Sequence, residues 1–184
     1  MKKIFIDCGG HGGESIRRFR KVDKHQGDFE IYSFEPVEYV AKAYRDTLGI
    51  NYSNKAIWIF DGEIDFYINK TYKSTRGNSL IKEKISGGLD KENPLKVPCI
   101  NFSKWIIENF DKDDFIILKM DIEGAEYEVL NKMIKDGSIF YIDKINMEFH
   151  YDKINLEKSI HDILVNKLKN ILGVNFVFKE NKRK

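Results

Sequence analysis

Cysteine is too scarce in this chain to organise it. Two occur in 184 residues, Cys8 and Cys99, which excludes a disulfide framework and a cysteine zinc site. Both sit beside apolar residues and read as reduced, half-buried thiols. Long hydrophobic runs are also missing, and no stretch approaches the length needed to span a bilayer. The opening MKKIFID meets charge and glycine too early for a secretory signal. A reduced, cytoplasmic setting is therefore expected. Charge of one sign is lacking too: 31 basic residues against 29 acidic ones leave a net charge of +2. No basic stripe argues for nucleic acid, and the terminal KENKRK reads as a solvated tail. No repeat, low-complexity tract or linker interrupts the chain, and no heptad pattern argues for a particular oligomer. What is present is a 42% hydrophobic content, enough for a core, at a length that fits one domain over 1–184.

The apolar pattern alternates between strand-like and helix-like segments. Lys3 to Cys8 reads as a short strand, Gly9 to Gly13 as a glycine turn, and Glu14 to Lys24 as a helix. Glu30 to Phe34 is a second strand, ended by Glu35-Pro36, and Val37 to Leu48 a second helix stopped by Gly49. Ile50 to Ile59 and Ile64 to Ile68 flank Asp61-Gly62, a hairpin signal. STRGNSLIKEKISGGLDKENP is polar and glycine-bearing and reads as a long mobile loop. A short strand VPCI, a helix from Phe102 to Asn109 and a continuous apolar strand from Phe115 to Met120 follow. Gly124 to Lys135 is helical, with an i, i+4 pair of Glu128 and Lys132. KINMEFH, LEKSIHDILVNKLKNIL and VNFVF complete a strand, helix and strand. This alternation predicts an open α/β fold, a mostly parallel sheet with helices on both faces and an extra β-hairpin.

Open α/β sheets bind ligands beyond the carboxyl ends of their strands. There the chain carries Asp7-Cys8-Gly9-Gly10-His11-Gly12-Gly13, then Glu35-Pro36, Asn54-Lys55-Ala56, Asp121-Ile122-Glu123-Gly124 and Glu148-Phe149-His150. The first turn lacks the third glycine of a dinucleotide fingerprint, and Asp7 suits a ligand with a cationic end better than a pyrophosphate. Glu35 can accept both hydroxyls of a ribose. Together they describe a nucleoside with an amino-acid-like positive end, which S-adenosylmethionine fits better than NAD or ATP.

FIDCGGHGGESI, YSFEPV, NKAI, DGEIDFYI, GNSL and LKMDIEGAEYEVL resemble, in that order, segments of the FkbM family of methyltransferases, over residues 3 to 150. The resemblance implies a class I methyltransferase (Rossmann-like) fold, use of S-adenosylmethionine and O-methylation, often of sugars or natural products. It places Asp7, Gly9, Gly10 and Gly12 at the methionine end of the cofactor and Glu35, followed by Pro36, at the ribose. Asn54, Lys55 and Ala56 fall near the adenine, Asn78 and Ser79 in a loop that closes over the cofactor, and Asp121 beside the sulfonium. His11 could contact cofactor or acceptor. Compared with the family, the chain starts almost at the first strand and ends one strand after its last helix, so a minimal form or a domain of a longer protein is expected.

Methyl transfer to oxygen requires a positioned hydroxyl and a group to take its proton. The candidates are Asp121, Glu123, Glu148 and His150. Glu148 and His150 share one side of an extended strand and could act as base and orienter, or as ligands of a divalent metal with Asp121. No dense ligand motif favours the metal. Glu126 reads as a helix-start residue favoured by the dipole, and Lys119 as an amine that snorkels or pairs with a carboxylate. The expected function is S-adenosylmethionine-dependent O-methylation of a sugar or glycan. A methyltransferase-like binding module without turnover and an NAD- or nucleotide-binding enzyme remain as alternatives.

Overall fold

The computed structural model describes residues 1–22, 28–42, 44–46, 49–70 and 76–180, and among these it has nine strands and five α-helices. The strands are β1 (Lys3–Cys8), β2 (Phe29–Phe34), β3 (Asn51–Ser53), β4 (Ala56–Trp58), β5 (Gly62–Phe66), β6 (Leu95–Asn101), β7 (Phe115–Met120), β8 (Lys144–Phe149) and β9 (Phe176–Glu180). The helices are α1 (Glu14–Val22), α2 (Glu38–Ala41), α3 (Phe102–Asn109), α4 (Glu126–Asp136) and α5 (Lys158–Leu172). Six strands form one sheet in the order β3-β2-β1-β7-β8-β9, and every pairing in it is parallel. This is the expected Rossmann-like α/β architecture. Strand order reverses between β1 and β7, which makes that edge the switch point where such sheets bind ligands.

Period-two alternation sorts the side chains of each strand into two cores. Ile4, Ile6 and Cys8 of β1 and Ile116, Leu118 and Met120 of β7 join the large core under α3, α4 and α5. Phe5 and Ile117 point to the opposite face and pack with Ile16 of α1 and Tyr44. That second face is covered only in part: on β8, Ile145, Met147 and Phe149 are buried, whereas Lys144, Asn146 and Glu148 reach solvent. Parallel register sets Asp7 of β1 beside Lys119 of β7. Their charged atoms lie 3.0 Å apart, with the Asp7 side chain fully buried.

The anticipated hairpin around Asp61-Gly62 takes another form. β4 and β5 do not pair with each other; β6 lies between them, parallel to β4 and antiparallel to β5, in a separate three-stranded sheet. Val97 and Cys99 of β6 are buried there against Ala56, Phe66 and Ile68, so non-local burial outweighs the local turn signal. Asp61 instead accepts a hydrogen bond from the Asn101 N–H, at 3.1 Å. The segment expected to be a mobile loop is tied down over residues 76–94. Ser79 exchanges backbone hydrogen bonds with Tyr67, and the Ile85 N–H donates to the Lys153 carbonyl. Residues 74–75 of that segment and the expected ends of the first two helices, at 23–24 and 47–48, lie outside the described residues. Lys132 reaches forward to Asp136, at 2.8 Å, rather than back to Glu128. Among the described residues no helix is long and apolar enough to cross a membrane.

The Asp7–Lys119 pair gives a direct stability test. Lys119→Met leaves the buried Asp7 without its cation and is expected to cost about 3–5 kcal/mol in urea unfolding. Adding Asp7→Asn should recover much of that loss. A double variant no more stable than the single one would mean that the pair is not the determinant.

Candidate active site

Beyond the carboxyl ends of β1, β2, β7 and β8 the chain leaves a cleft of about 540 Å³. Its floor is built by the turn after β1. The Gly9 and Gly10 N–H groups both donate to the Phe34 carbonyl at 3.0 Å, which holds the turn against the end of β2. Gly9 has φ +81°, and a Cβ there would sit 2.0 Å from the Asp121 carbonyl oxygen. No other residue fits without moving β7. Underneath, the Lys119 ammonium donates to the Gly9 carbonyl at 2.8 Å and is paired with Asp7. Burial alone would lower the Lys119 pKa, but Asp7 and Asp121 overcome it and raise the value above its ordinary range.

Asp7 therefore does not line the cleft, as its sequence position implied. It is fully buried, bonded to the Ser15 hydroxyl and to Lys119, because the strand register turns it toward β7. Gly9, Gly10, His11, Glu35, Pro36, Ala56, Asn78, Asp121, Glu123 and Glu148 do line the cleft. Gly12, Asn54 and Lys55 are absent from its lining, and Asn54 and Lys55 are exposed. Ser79 is buried beneath the wall, its hydroxyl donating to the Glu123 carbonyl at 2.7 Å.

Glu35 closes the end of β2. Its two carboxylate oxygens accept the His11 and Val37 N–H groups, each at 3.0 Å. Each oxygen keeps a second lone pair for a ligand donor. Burial raises its pKa to about 6, against the lowering effect of the two backbone donors. Apolar Ala56, Ile57, Phe66 and Leu80 face the same cavity, a wall suited to a flat heterocycle.

The opposite wall carries the carboxylates that follow β7 and β8. Gly124 has φ +113°, and a Cβ there would lie 2.5 Å from the Ile154 side chain, so the chain can turn here only at glycine. Glu123 adopts φ +55°, a region that costs a non-glycine residue about 1–3 kcal/mol unless its surroundings enforce it. They do so here: Lys84 and Lys153 both reach one Glu123 carboxylate oxygen, at 3.1 and 3.3 Å. Burial would raise the Glu123 pKa, but His150 and these two lysines hold it below the ordinary range. Lys84 is itself buried and also donates to the Gly77 carbonyl.

Glu126 is more than a dipole-favoured helix start. It is fully buried and accepts the Ile122 N–H at 3.0 Å, the Gly124 N–H at 2.8 Å and the His150 Nδ1 at 2.8 Å. His150 leaves the end of β8 with φ −126° and ψ 31° and its side chain is buried behind the cleft. Its Nε2 comes within 3.5 Å of Glu148, 3.7 Å of Asp121 and 3.8 Å of Glu123. Burial opposes charge on this ring, but the bond to Glu126 and the nearby Glu148 and Glu123 raise its pKa to about 10. A ring held as a cation in this way fits the orienting member of the base-and-orienter pair with Glu148 better than the base. Asp121 has the opposite balance. Burial pushes its pKa up, Lys119 and His150 pull it down, Glu148 and Glu123 push up again, and the outcome is a raised value.

Arg76, Glu14, Arg18 and Lys179 also line the cleft and were not anticipated. Arg76 and Glu14 form an ion pair at 3.2 Å. Lys179 has a sequence-level signal: on a parallel last strand, its end joins the ligand edge, and the register sets it beside Glu148.

A model of the methyltransferase FkbM domain matches residues 7–173. A crystal structure of methyltransferase FkbM from Methylobacillus flagellatus KT is similar, at 17% identity and a TM-score of 0.49; the match covers 92% of this chain and 37% of that one. The chain thus spans little more than a third of the length of that protein. Curated proteins contain no match to it.

Lys84 joins the 76–94 segment to the acidic wall, so Lys84→Met is expected to speed amide exchange at Ser79 and Ile85 by at least tenfold. Exchange in the β1 and β7 amides should stay unchanged. Hydrogen–deuterium exchange followed by mass spectrometry reads both. Unchanged protection at Ser79 would show that the backbone bridge to Tyr67 is sufficient without the ammonium.

Proposed function

The chain belongs to the FkbM methyltransferase family, and from that membership we propose that it is an S-adenosylmethionine-dependent O-methyltransferase acting on a hydroxyl of a sugar or glycan. The observation that carries this reading is the pairing, in one cleft, of Glu35 with its open lone pairs and Asp121 with its raised pKa. The residues present fit the cofactor. Glu35 would hold the ribose hydroxyls; Ala56, Ile57, Phe66 and Leu80 would flank the adenine. The bare backbone of Gly9 and Gly10, with Glu14 and Arg76 at the rim, would take the amino-acid end, and Asp121 and Glu148 would face the sulfonium. When bound, S-adenosylmethionine supplies an electrophilic methyl group.

The chain's own task is then to hold an acceptor oxygen and remove its proton. Asp121 would accept that proton: it lines the cleft, and burial raises its pKa above the ordinary carboxylate value. Glu123 is too firmly paired with Lys84 and Lys153 for that role. A second groove of about 550 Å³ shares Ser15, Arg18, Lys119, Asp121, Glu148 and Lys179 with the cofactor cleft. Asn146 and Lys144 offer it polar partners, and the rings of Phe19 and Phe178 offer apolar faces. This mixture suits a sugar, which presents hydroxyls at its edge and C–H groups on its face, and it supports the glycan reading. The free thiols Cys8 and Cys99 support a reducing, cytoplasmic setting, and burial pushes the Cys8 thiol well up, away from nucleophilic chemistry.

S-adenosylhomocysteine should raise the thermal midpoint, as a ligand selective for the native state does, while NAD and ATP should not. A response to NAD alone would overturn the proposal. Glu35→Gln should weaken S-adenosylhomocysteine binding about tenfold in calorimetry. In the wild-type protein that affinity should fall as pH drops through about 6, because the protonated carboxyl loses acceptor capacity. With a glycan acceptor found by a gain of one methyl mass, Asp121→Asn should lower kcat at least 100-fold with little change in cofactor affinity.

A further inference from the structure

We propose that Asp121, Glu123 and His150, with Glu148 beside them, form a binding site for one divalent transition cation, Mn²⁺ or Zn²⁺, at the mouth of the cleft. One ligand atom from each of Asp121, Glu123 and His150 lies within 4.8 Å of the others. From His150 Nε2 the carboxylate oxygens stand at 3.5 Å (Glu148), 3.7 Å (Asp121) and 3.8 Å (Glu123). A tetrahedral ion with ligand bonds of about 2.1 Å has ligand–ligand edges of about 3.4 Å, so side-chain movements of up to about an ångström and a half bring atoms that lie within 4.8 Å of one another into one sphere.

An acidic cluster alone would not carry the assignment, and a second observation does. His150 Nε2 is a fully buried nitrogen with no hydrogen-bond partner, and it points into the cluster. Its other nitrogen, Nδ1, is held at 2.8 Å by the buried Glu126 carboxylate. That is the arrangement in which an outer carboxylate orients a metal-binding imidazole and raises its basicity. Glu126 is itself fixed by the Ile122 and Gly124 N–H groups, so the ring is aimed before any ion arrives.

Asp121, Glu123, Glu126 and Glu148 surround His150, with Lys84 and Lys153 paired to Glu123, Lys119 facing Asp121 and Lys179 beside Glu148 in the strand register. On binding, the ion takes the place of the Nε2 proton, which leaves to solvent. The imidazole selects a transition ion over Mg²⁺ or Ca²⁺, which prefer all-oxygen sites. Asp121, Glu123 and Glu148 line the cleft, so the ion keeps a position open to it. On the O-methyltransferase reading above, on which this role alone rests, that position receives the acceptor hydroxyl, and Asp121 then acts as a ligand of the ion in place of taking the proton itself.

The test is a titration of the full chain with MnCl₂, without cofactor or acceptor, followed by loss of the electron paramagnetic resonance signal of aqueous Mn²⁺. One ion per chain is expected, with affinity lowered at least tenfold in Asp121→Asn and in His150→Gln. Circular dichroism checks each variant for folding. If His150→Gln does not fold, Asp121→Asn and Glu123→Gln decide, since both change side chains that already face the cleft. No saturable binding by the wild-type chain, or equal binding by the folded variants, overturns the site and leaves His150 as the buried cation of a carboxylate cluster. Because the titration contains no cofactor, its failure leaves the S-adenosylhomocysteine result intact, and failure of the cofactor test leaves the ion binding intact.

Discussion

The half-buried ammonium of Lys119 is the point on which the ligand edge depends. Parallel register sets it against Asp7, and its second contact reaches the Gly9 carbonyl. One cation thus joins β1, β7 and the glycine turn at the switch point of the sheet. A charge in so enclosed a place is tolerable only when paired and hydrogen-bonded, and this one is both. The consequence extends outward. The turn held by Lys119 presses Gly9 onto the Asp121 carbonyl, and the Asp121 N–H returns a bond to the Cys8 carbonyl. The position of Asp121, and with it the acidic wall, follows from how β1 and β7 are locked together.

Around this lock the acids of the cleft are differentiated by their partners. Glu126 is spent on structure, accepting two backbone donors and the His150 ring. Glu123 is neutralised by Lys84 and Lys153, which also compensate its left-handed backbone. Glu35 is poised by burial against two backbone donors. Asp121 reaches the cavity with a pKa raised chiefly by burial. Four carboxyl groups that look alike in sequence acquire four different chemistries. The segment carrying Lys84 links this wall to Gly77 at the rim of the cleft, so the two sides of the cleft share one set of supports.

Much of the fold was readable from periodicity. The helix Phe102–Asn109 and the strand Phe115–Met120 appear with the boundaries their patterns imply. Asn101 caps the helix by accepting the Lys104 N–H, and an apolar run bounded by charge delimits the strand. The small sheet was not readable, because its central strand β6 comes from far along the chain and separates two segments that local turn chemistry would pair. Polar composition similarly disguised the 76–94 segment. Lys84 and Ser79 are buried there by partners on β5's extension and on the loop after β7, and no local pattern announces such distant partners.

By itself, the sequence determined the order of strands and helices, the presence of a glycine turn after β1 and the carboxylates at the strand ends, since each follows from local periodicity or residue chemistry. It also carried the ordered motifs of the family. Tertiary structure decided which of those groups reach the cavity. Asp7 turned inward because register gave it Lys119; His150 turned inward because Glu126 was buried behind it. Proton affinity and access depend on burial and on charges within a few ångströms, and those neighbours come from strands far apart in the chain. For that reason the family was legible in a line of residues, while the division of labour among its acids required the folded molecule.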